Sequence, residues 1–434
     1  MKRLLSLVFA LLAAPLWMGG VLHSLACHST SSASENKGQS ESKTRGTSKA
    51  APPAAKGSAA KADRERLAAQ PANWQDSELL SDASKGRALE PFFRALRKAE
   101  AGQGIARVTH MGDSSIGRDE LPHMLRTRMQ KRFASAGPGF VLIQPHSTDY
   151  RNALVHPQVH APWDFCFITF RCKNDGRYGL GGVTIRSTGS SSTGYRIPTE
   201  GDKAQRVTRF ELWYAAQPQG GEFRVRINSA APVVIPTAAE SVEDRWHEIK
   251  VPEGIERVQV QAGGGATRAY GVVFENEGPG VVWDTLSMIG AFTHRLLSHD
   301  AAHIEGQVRH RDPSLLVLNY GGNDLRRLKG GKVSAADFEK ETRDVIRHLH
   351  RGLPTMGCLM IGISDHLKSG TYDISHREVS TIVEAQRRAT AAAGCAYFDT
   401  YKVMGGEGAF RRWLAHRPPL AAGDMKHLTR QGRE

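Results

Sequence analysis

Residues 105–117 read IARVTHMGDSSIG. The run 105–111, with Ile105 and Val108 in it, favours an extended strand, and Gly112-Asp113 then turns the chain. Leu121, Met124, Leu125 and Met129 follow at three- and four-residue spacing, the pattern of a helix reaching about Phe133. Ser114 is therefore expected on a strand-to-helix turn, just past the end of a buried strand. Free backbone N–H groups at a helix N-terminus stabilise an anion. A nucleophile that must form a tetrahedral oxyanion needs that location. Asp-Ser after a strand is also an ordinary helix cap, so the stretch calls for partners elsewhere in the chain.

Three later stretches supply them. Gly321-Gly322-Asn323-Asp324 follows an apolar run, 314–320, that reads as another buried strand. Ligands bind outside the carboxyl ends of strands in open α/β sheets. Asp424 and His427 stand three residues apart near the C-terminus, a spacing that lets one tight loop present both side chains. In Ile289-Gly290-Ala291 a glycine opens a further segment. Taken singly, each reads as a capped turn, a surface turn or a packing glycine.

The wider chain alternates. Leu89, Phe92, Phe93 and Leu96 lie at helical spacing before the first strand. After Gly280 come strands at 314–320, 358–363 and 396–398, separated by helices at 334–351 and 375–393. Helices of that length between strands imply a parallel sheet with helices on both faces. Between them, 151–281 has a different texture. Short alternating runs recur at 183–185, 210–213, 223–227, 233–235, 247–251, 258–260 and 270–274, broken by Gly, Pro, Asn and Asp. Such spacing predicts a β-sandwich inserted into the parallel domain. The expected division is 1–26 signal peptide, 27–72 disordered tether, 73–150 first part of the α/β domain, 151–281 insert and 282–434 second part. The tether is rich in Ser, Lys, Ala and Pro and has almost no large apolar residues to offset its ordering entropy.

Gly-Asp-Ser, then Gly, then Gly-x-Asn-Asp, then Asp-x-x-His is the block order of the SGNH (GDSL) hydrolase superfamily, which the chain resembles over about 89–150 and 282–430. The resemblance implies an α/β, flavodoxin-like three-layer fold. It implies Ser114 as nucleophile, His427 as general base and Asp424 as its orienter. The backbone N–H groups of Ser114 and Gly290 and the Asn323 amide would form the oxyanion hole. Serine is a poor nucleophile until an imidazole takes its proton, and a carboxylate holds that imidazole in one tautomer. Longer strings, VTHMGDSS at 108–115, AGPGF at 136–140 and YFDTYKVMGG at 397–406, look like the periplasmic branch that contains peptidoglycan O-acetylesterases. That branch carries an insert similar to a carbohydrate-binding module. The implied function is a serine esterase removing O-acetyl groups from a cell-envelope glycan, peptidoglycan among the candidates, through an acetyl-serine intermediate. The rivals are an O-acetyltransferase with the same triad and a catalytically degenerate glycan-binding protein. Trp213, Tyr214 and Tyr195 are candidate glycan-stacking residues, weighed against the usual place of strand aromatics in a core. Ser115 stands where relatives often carry His. Glu434 comes soon after His427, where family members continue with a helix, so either apolar surface is left uncovered nearby or the chain is truncated.

Composition sets the setting. Of 434 residues, 40% are hydrophobic and 7% aromatic, enough for a real core. A formal charge of +14 suggests an acidic partner. Lys2 and Arg3 precede an apolar run to about Leu22 and then Ser24-Leu25-Ala26-Cys27, the plan of an export signal. Export sets nucleic acid aside and makes an anionic envelope surface the expected partner beside O-acetylated polysaccharide. Cys27 after Ala26 suits lipoprotein processing, while Ser24-x-Ala26 suits ordinary signal peptidase; contact with a membrane is expected only through a lipid on Cys27. The protein is then periplasmic or envelope-associated. Four cysteines remain, Cys166, Cys172, Cys358 and Cys395, read either as two disulfides in an oxidising compartment or as buried free thiols. No CxxC or Cys/His spacing suggests zinc, so no metal or cofactor is expected. His348 and His350 are expected to be solvated.

Overall fold

The computed structural model describes residues 79–172 and 175–433, all within one compact unit. The signal segment, the tether and Cys27 lie outside the described residues. Along the chain come β1 (Leu80–Ser81), α1 (Glu90–Glu100), β2 (Ile105–Gly112), α2 (Glu120–Phe133) and β3 (Gly139–Val141). Ten strands follow: β4 (Gln158–Ala161), β5 (Asp164–Phe167), β6 (Val183–Ser187), β7 (Ser192–Arg196), β8 (Arg209–Ala216), β9 (Glu222–Ile227), β10 (Val233–Pro236), β11 (Glu243–Lys250), β12 (Arg257–Gly263) and β13 (Thr267–Glu275). The rest is β14 (Gly280–Ser287), α3 (Ala301–Arg311), β15 (Leu315–Asn319), α4 (Asp324–Lys329), α5 (Ala335–His350), β16 (Gly357–Ile361), β17 (Lys368–Ser369), β18 (Tyr372–Asp373), α6 (His376–Ala393), β19 (Ala396–Phe398), α7 (Thr400–Met404), α8 (Ala409–Ala415) and α9 (Arg430–Arg433).

One six-stranded sheet has the order β1-β19-β16-β15-β2-β14, parallel throughout except for β1. Its central strands β15 and β16 are apolar on both faces, as a doubly covered parallel sheet requires. Leu315, Val317, Leu359 and Ile361 pack in one cluster with Phe92 and Leu96 of α1 and Leu121 and Leu125 of α2. The alternate residues Leu316, Leu318, Cys358 and Met360 join the other cluster, with Phe338 and Val345 of α5 and Ile382 and Val383 of α6. Period-two alternation thus sends each strand into two separate cores.

Residues 158–275 fold into two antiparallel sheets, β10-β9-β12-β7-β4 and β11-β8-β13-β6-β5. Phe223, Val225, Val258 and Val260 of the first share a cluster with Phe210, Leu212, Val272 and Phe274 of the second. β3 pairs with β13, so the chain enters this antiparallel region at Gly139 and returns to the parallel sheet at Gly280.

A buried ion cluster joins the two regions. Arg311 of α3 donates to Asp284 of β14 and to Glu275 of β13. Glu275 also receives Arg107 of β2 and Arg209 of β8. These guanidiniums hold the Glu275 carboxyl at about 2 against the opposing effect of its burial.

Several alternatives left open by the sequence are resolved here. Trp213, Tyr214 and Tyr195 are 0%, 5% and 3% exposed and belong to the core, not to a glycan surface. His348 and His350 are half-buried rather than solvated, each with a buried Nε2 lacking a partner. Both cysteine pairs are bonded, Cys166–Cys172 and Cys358–Cys395. No large exposed apolar side chain belongs to α1 or α2, and α9 packs against α2. Among the described residues no helix is long and apolar enough to cross a membrane.

Candidate active site

The carboxyl ends of β14, β2 and β15 meet at one edge. Met288 N donates to Gly112 O at 2.7 Å and Asp113 N to Asn319 O at 3.2 Å. Gly112 has to be glycine, because a Cβ there would lie 2.8 Å from Ile116 Cγ1 and 3.0 Å from Asn319 O. Asp113 caps a 3-10 turn, Ser114–Ile116, by accepting from Ser115 N. Ser115 Oγ is spent on Asn319 O at 2.9 Å. Ser114 alone on this turn is half-open. Neither its Oγ nor its backbone N–H has a hydrogen-bond partner among the described residues.

Asn323 stands at the next strand end. Its Nδ2 donates to Asp113 Oδ2 at 3.0 Å and to Ala291 O at 3.1 Å, so both amide protons are in use. Asp324 accepts from Thr293 N at 2.9 Å and Thr293 Oγ1 at 2.8 Å. His146 Nε2 accepts from Ile289 N at 3.3 Å. The Gly290 loop is thereby pinned on both sides. Gly290 itself has φ +76°, no neighbour where a Cβ would stand, and a backbone N–H without a partner among the described residues.

Asp424 and His427 share a loop that folds back on itself. Ala422 N donates to His427 O, and Leu367 N and Lys368 N both donate to Met425 O. Met425 has φ +65°, a left-handed conformation that side chains other than glycine adopt at some cost. Asp424 Oδ1 accepts from His427 N at 3.0 Å, and Asp424 Oδ2 is paired with His427 Nδ1. One carboxylate thus shapes the loop and fixes the ring. His427 is 1% exposed, and its Nε2 is buried without a partner. No hydrogen bond joins Nε2 to Ser114 Oγ in this state; such contacts often form only with substrate.

Burial sets the charge states. It pushes the His427 imidazole well below its usual value, helped by the charges of His366, Lys426 and Arg118. It also raises the Asp424 carboxyl and carries Asp113 up to about 6. His294, Asp324 and Glu341 are the described residues that would hold a cation, with ligand atoms within 4.8 Å of one another. Arg327 already bridges Asp324 and Glu341 at 2.8 and 2.7 Å, so a guanidinium supplies the positive charge there.

Three positioning residues lay beyond the sequence patterns. Gln386 of α6 donates to Tyr320 O and accepts from Ile363 N, clamping two strand ends. A Cβ on Gly321, φ +117°, would meet Gln386 Nε2 at 2.5 Å. Thr293 and His146, which hold the Gly290 loop, carry no local signal. Only the contacts reveal them.

No family model matches the sequence, and no curated protein matches it. By structure the chain is similar to a peptidoglycan O-acetylesterase, with a TM-score of 0.66 at 20% identity, over 82% of this chain and 95% of that one. It overlaps over 36% of its length with a lipase/acylhydrolase from Enterococcus faecalis, TM-score 0.25 at 18% identity, covering 70% of that chain. Over 28% it overlaps with CsCBM6-3 from Clostridium stercorarium, solved with cellobiose, TM-score 0.20 at 16% identity, covering 87% of that chain. The first likeness, read with the parallel sheet and the block order, gives the chain the SGNH (GDSL) hydrolase fold.

Proposed function

We propose that the chain is an exported serine esterase that removes O-acetyl groups from a cell-envelope glycan. The observation that carries this reading is the Asp424–His427 pair with its buried, unpartnered Nε2. With Nδ1–H donating to Asp424, Nε2 holds the lone pair. It takes the Ser114 proton as Oγ attacks the acetyl carbonyl carbon. The carbonyl oxygen becomes an oxyanion, received by the N–H groups of Ser114 and Gly290 and by the Asn323 amide. Collapse breaks the bond from the carbonyl carbon to the sugar oxygen, which takes the proton from Nε2 and leaves as the hydroxyl, and acetyl-serine remains. Water, deprotonated by Nε2, then attacks the acetyl carbon; acetate leaves and Ser114 Oγ takes the proton back from Nε2.

The two antiparallel sheets are read as an inserted β-sandwich, similar to a carbohydrate-binding module, that directs polymer to the site. Export to the periplasm or envelope, with a lipid on Cys27, is supported by the signal-like N-terminus and by two disulfides, which persist in oxidising compartments. The charge of +14 suits an anionic envelope surface.

Ser114→Ala tests the reading. Hydrolysis of a small acetyl ester should vanish while folding is kept, and a fluorophosphonate should label the parent protein at Ser114. Undiminished turnover in the variant would sink the assignment.

A further inference from the structure

Phe292 lies two residues beyond Gly290, half-buried beneath three guanidinium groups. The Cζ atoms of Arg326, Arg327 and Arg295 stand 4.6, 5.5 and 6.0 Å from its ring centroid. A ring face attracts cations, which helps gather charges that otherwise repel. Arg327 is neutralised by Asp324 and Glu341. Arg295 and Arg326 have no carboxylate partner among the described residues. Neither has Arg171, at the end of a turn, Ile168–Phe170, that packs against the turn carrying Arg295, Thr293–Ser298. Arg295 Nε is buried with no hydrogen-bond partner. Burial, then repulsion from Arg171 and Arg327, holds this guanidinium below its ordinary value. Next to Arg171 in the chain, Phe170 is 73% exposed, a flat apolar face of the kind sugar rings stack on. Unmatched, partly desolvated cations are costly unless an anion joins them.

The cluster is built into the candidate site. Phe292 sits between Ala291, whose carbonyl holds the Asn323 amide, and Thr293, which holds Asp324. Arg326 follows Asn323 by three residues on α4.

We propose that Arg295 and Arg326, gathered on Phe292, form with the neighbouring Arg171 a subsite for a carboxylate carried by the glycan substrate. This rests on the acetylesterase reading and narrows it: the substrate class is an O-acetylated glycan bearing free carboxylates. A guanidinium pair binds a carboxylate through charge-assisted hydrogen bonds, and Phe170 adds contact for the ring that bears it. A neutral acetylated polysaccharide would leave the cluster unmatched.

The test is binding, so it does not depend on turnover. Ser114→Ala protein is titrated by calorimetry with N-acetylmuramyl dipeptide and with its carboxyl-amidated form. A second arm uses a uronate oligosaccharide against its reduced, neutral counterpart. The acid of at least one carrier should bind about tenfold more tightly than its neutral form, about 1.4 kcal/mol. The carrier that shows the preference identifies a peptide-borne or a sugar-borne carboxylate. The preference should vanish when Arg295→Gln and Arg326→Gln are added, and should shrink with Arg326→Gln alone, each variant checked for an unchanged thermal midpoint. Equal affinity for acid and neutral forms of both carriers, or a preference that survives the paired substitutions, overturns the proposal. Loss of the esterase reading shows separately, as a parent protein that fails to hydrolyse a neutral small acetyl ester.

Discussion

Asn323 Nδ2 donates to Asp113 Oδ2 at 3.0 Å, tying the turn after β15 to the turn after β2. The contact explains why two short motifs far apart in sequence act as one object. It also constrains the proposed oxyanion hole. Both Asn323 protons are engaged, one on Asp113 and one on Ala291 O, so an arriving oxyanion must share one of them. Asn323→Ala should therefore lower kcat by roughly 10²–10³ with little change in KM, the usual cost of one such donor. It should also destabilise the fold by about 1–3 kcal/mol, because buried Asp113 loses a partner. Steady-state kinetics and denaturant titration read the two effects apart. A loss of kcat under threefold would remove Asn323 from the oxyanion hole.

How much of this was readable beforehand depends on where the signal lives. Continuous apolar runs in β15 and β16 and helical spacing in α5 and α6 carry the parallel domain, because each of these strands feeds two cores. α3 left no such trace. Its buried face is His303, Gln307 and Arg311 with only Ile304 and Val308 among them, since it packs on charge rather than on hydrocarbon. β14 was equally hidden, since Asp284, Thr285 and Ser287 break its apolar run although every position is buried. In the site, Asp424 and His427 are local in sequence and pair locally. Thr293, His146 and Gln386 act across long sequence separations, so no spacing rule exposes them.

Arg311 should be the most sensitive charged position outside the site. It is 3% exposed and answers two fully buried carboxylates, Asp284 and Glu275. Arg311→Ala leaves those charges short of a partner and should cost about 3–5 kcal/mol. Because the cluster joins β13 to β14, loss should loosen the antiparallel region against the parallel sheet. Urea unfolding followed by tryptophan fluorescence measures this. A change below about 1 kcal/mol would mean that Arg107 and Arg209 suffice for Glu275.

Stability should fall with acid, starting near neutrality. Burial lowers His110 and His146 to about 3 and His366 to about 4. In the unfolded chain each titrates near about 6.5. As pH drops below that value the unfolded state takes protons that the folded state refuses, at about 1.4 kcal/mol per pH unit for each group. Asp113 works the other way. Its carboxyl, raised to about 6, favours folding at low pH and loses that contribution as pH rises from about 3.8 to about 6. Three histidines against one aspartate give a net loss, on the order of 3–4 kcal/mol between pH 6.5 and 5. Urea midpoints at these two pH values test it. His110→Gln, which keeps an acceptor for Trp283 Nε1, should reduce the slope by about a third. A flat profile would contradict the buried-neutral assignment.

The pH dependence of turnover tests the base itself. From sequence, pairing with Asp424 would raise the His427 value and burial would lower it, leaving an acid limb anywhere from about 5.5 to 7.5. In the folded protein burial prevails, and the charges of His366 and Lys426 push in the same direction. A base must be neutral to accept the Ser114 proton, so a depressed value extends activity toward acid. The limb of kcat/KM should therefore lie below about 6.5, with a plateau above it. Lys426→Ala should move it toward neutral, since it removes a cation that disfavours the imidazolium. Asp424→Asn should lower turnover by up to about 10⁴, because the amide no longer selects the tautomer with Nε2 free. That loss should exceed the effect of any loop disturbance, since an asparagine Oδ1 still accepts from His427 N. Rates are measured from pH 4.5 to 8 on a small acetyl ester, within the range where the fold survives. His427→Ala with the same limb as the parent would place the base elsewhere and withdraw both residues from the mechanism.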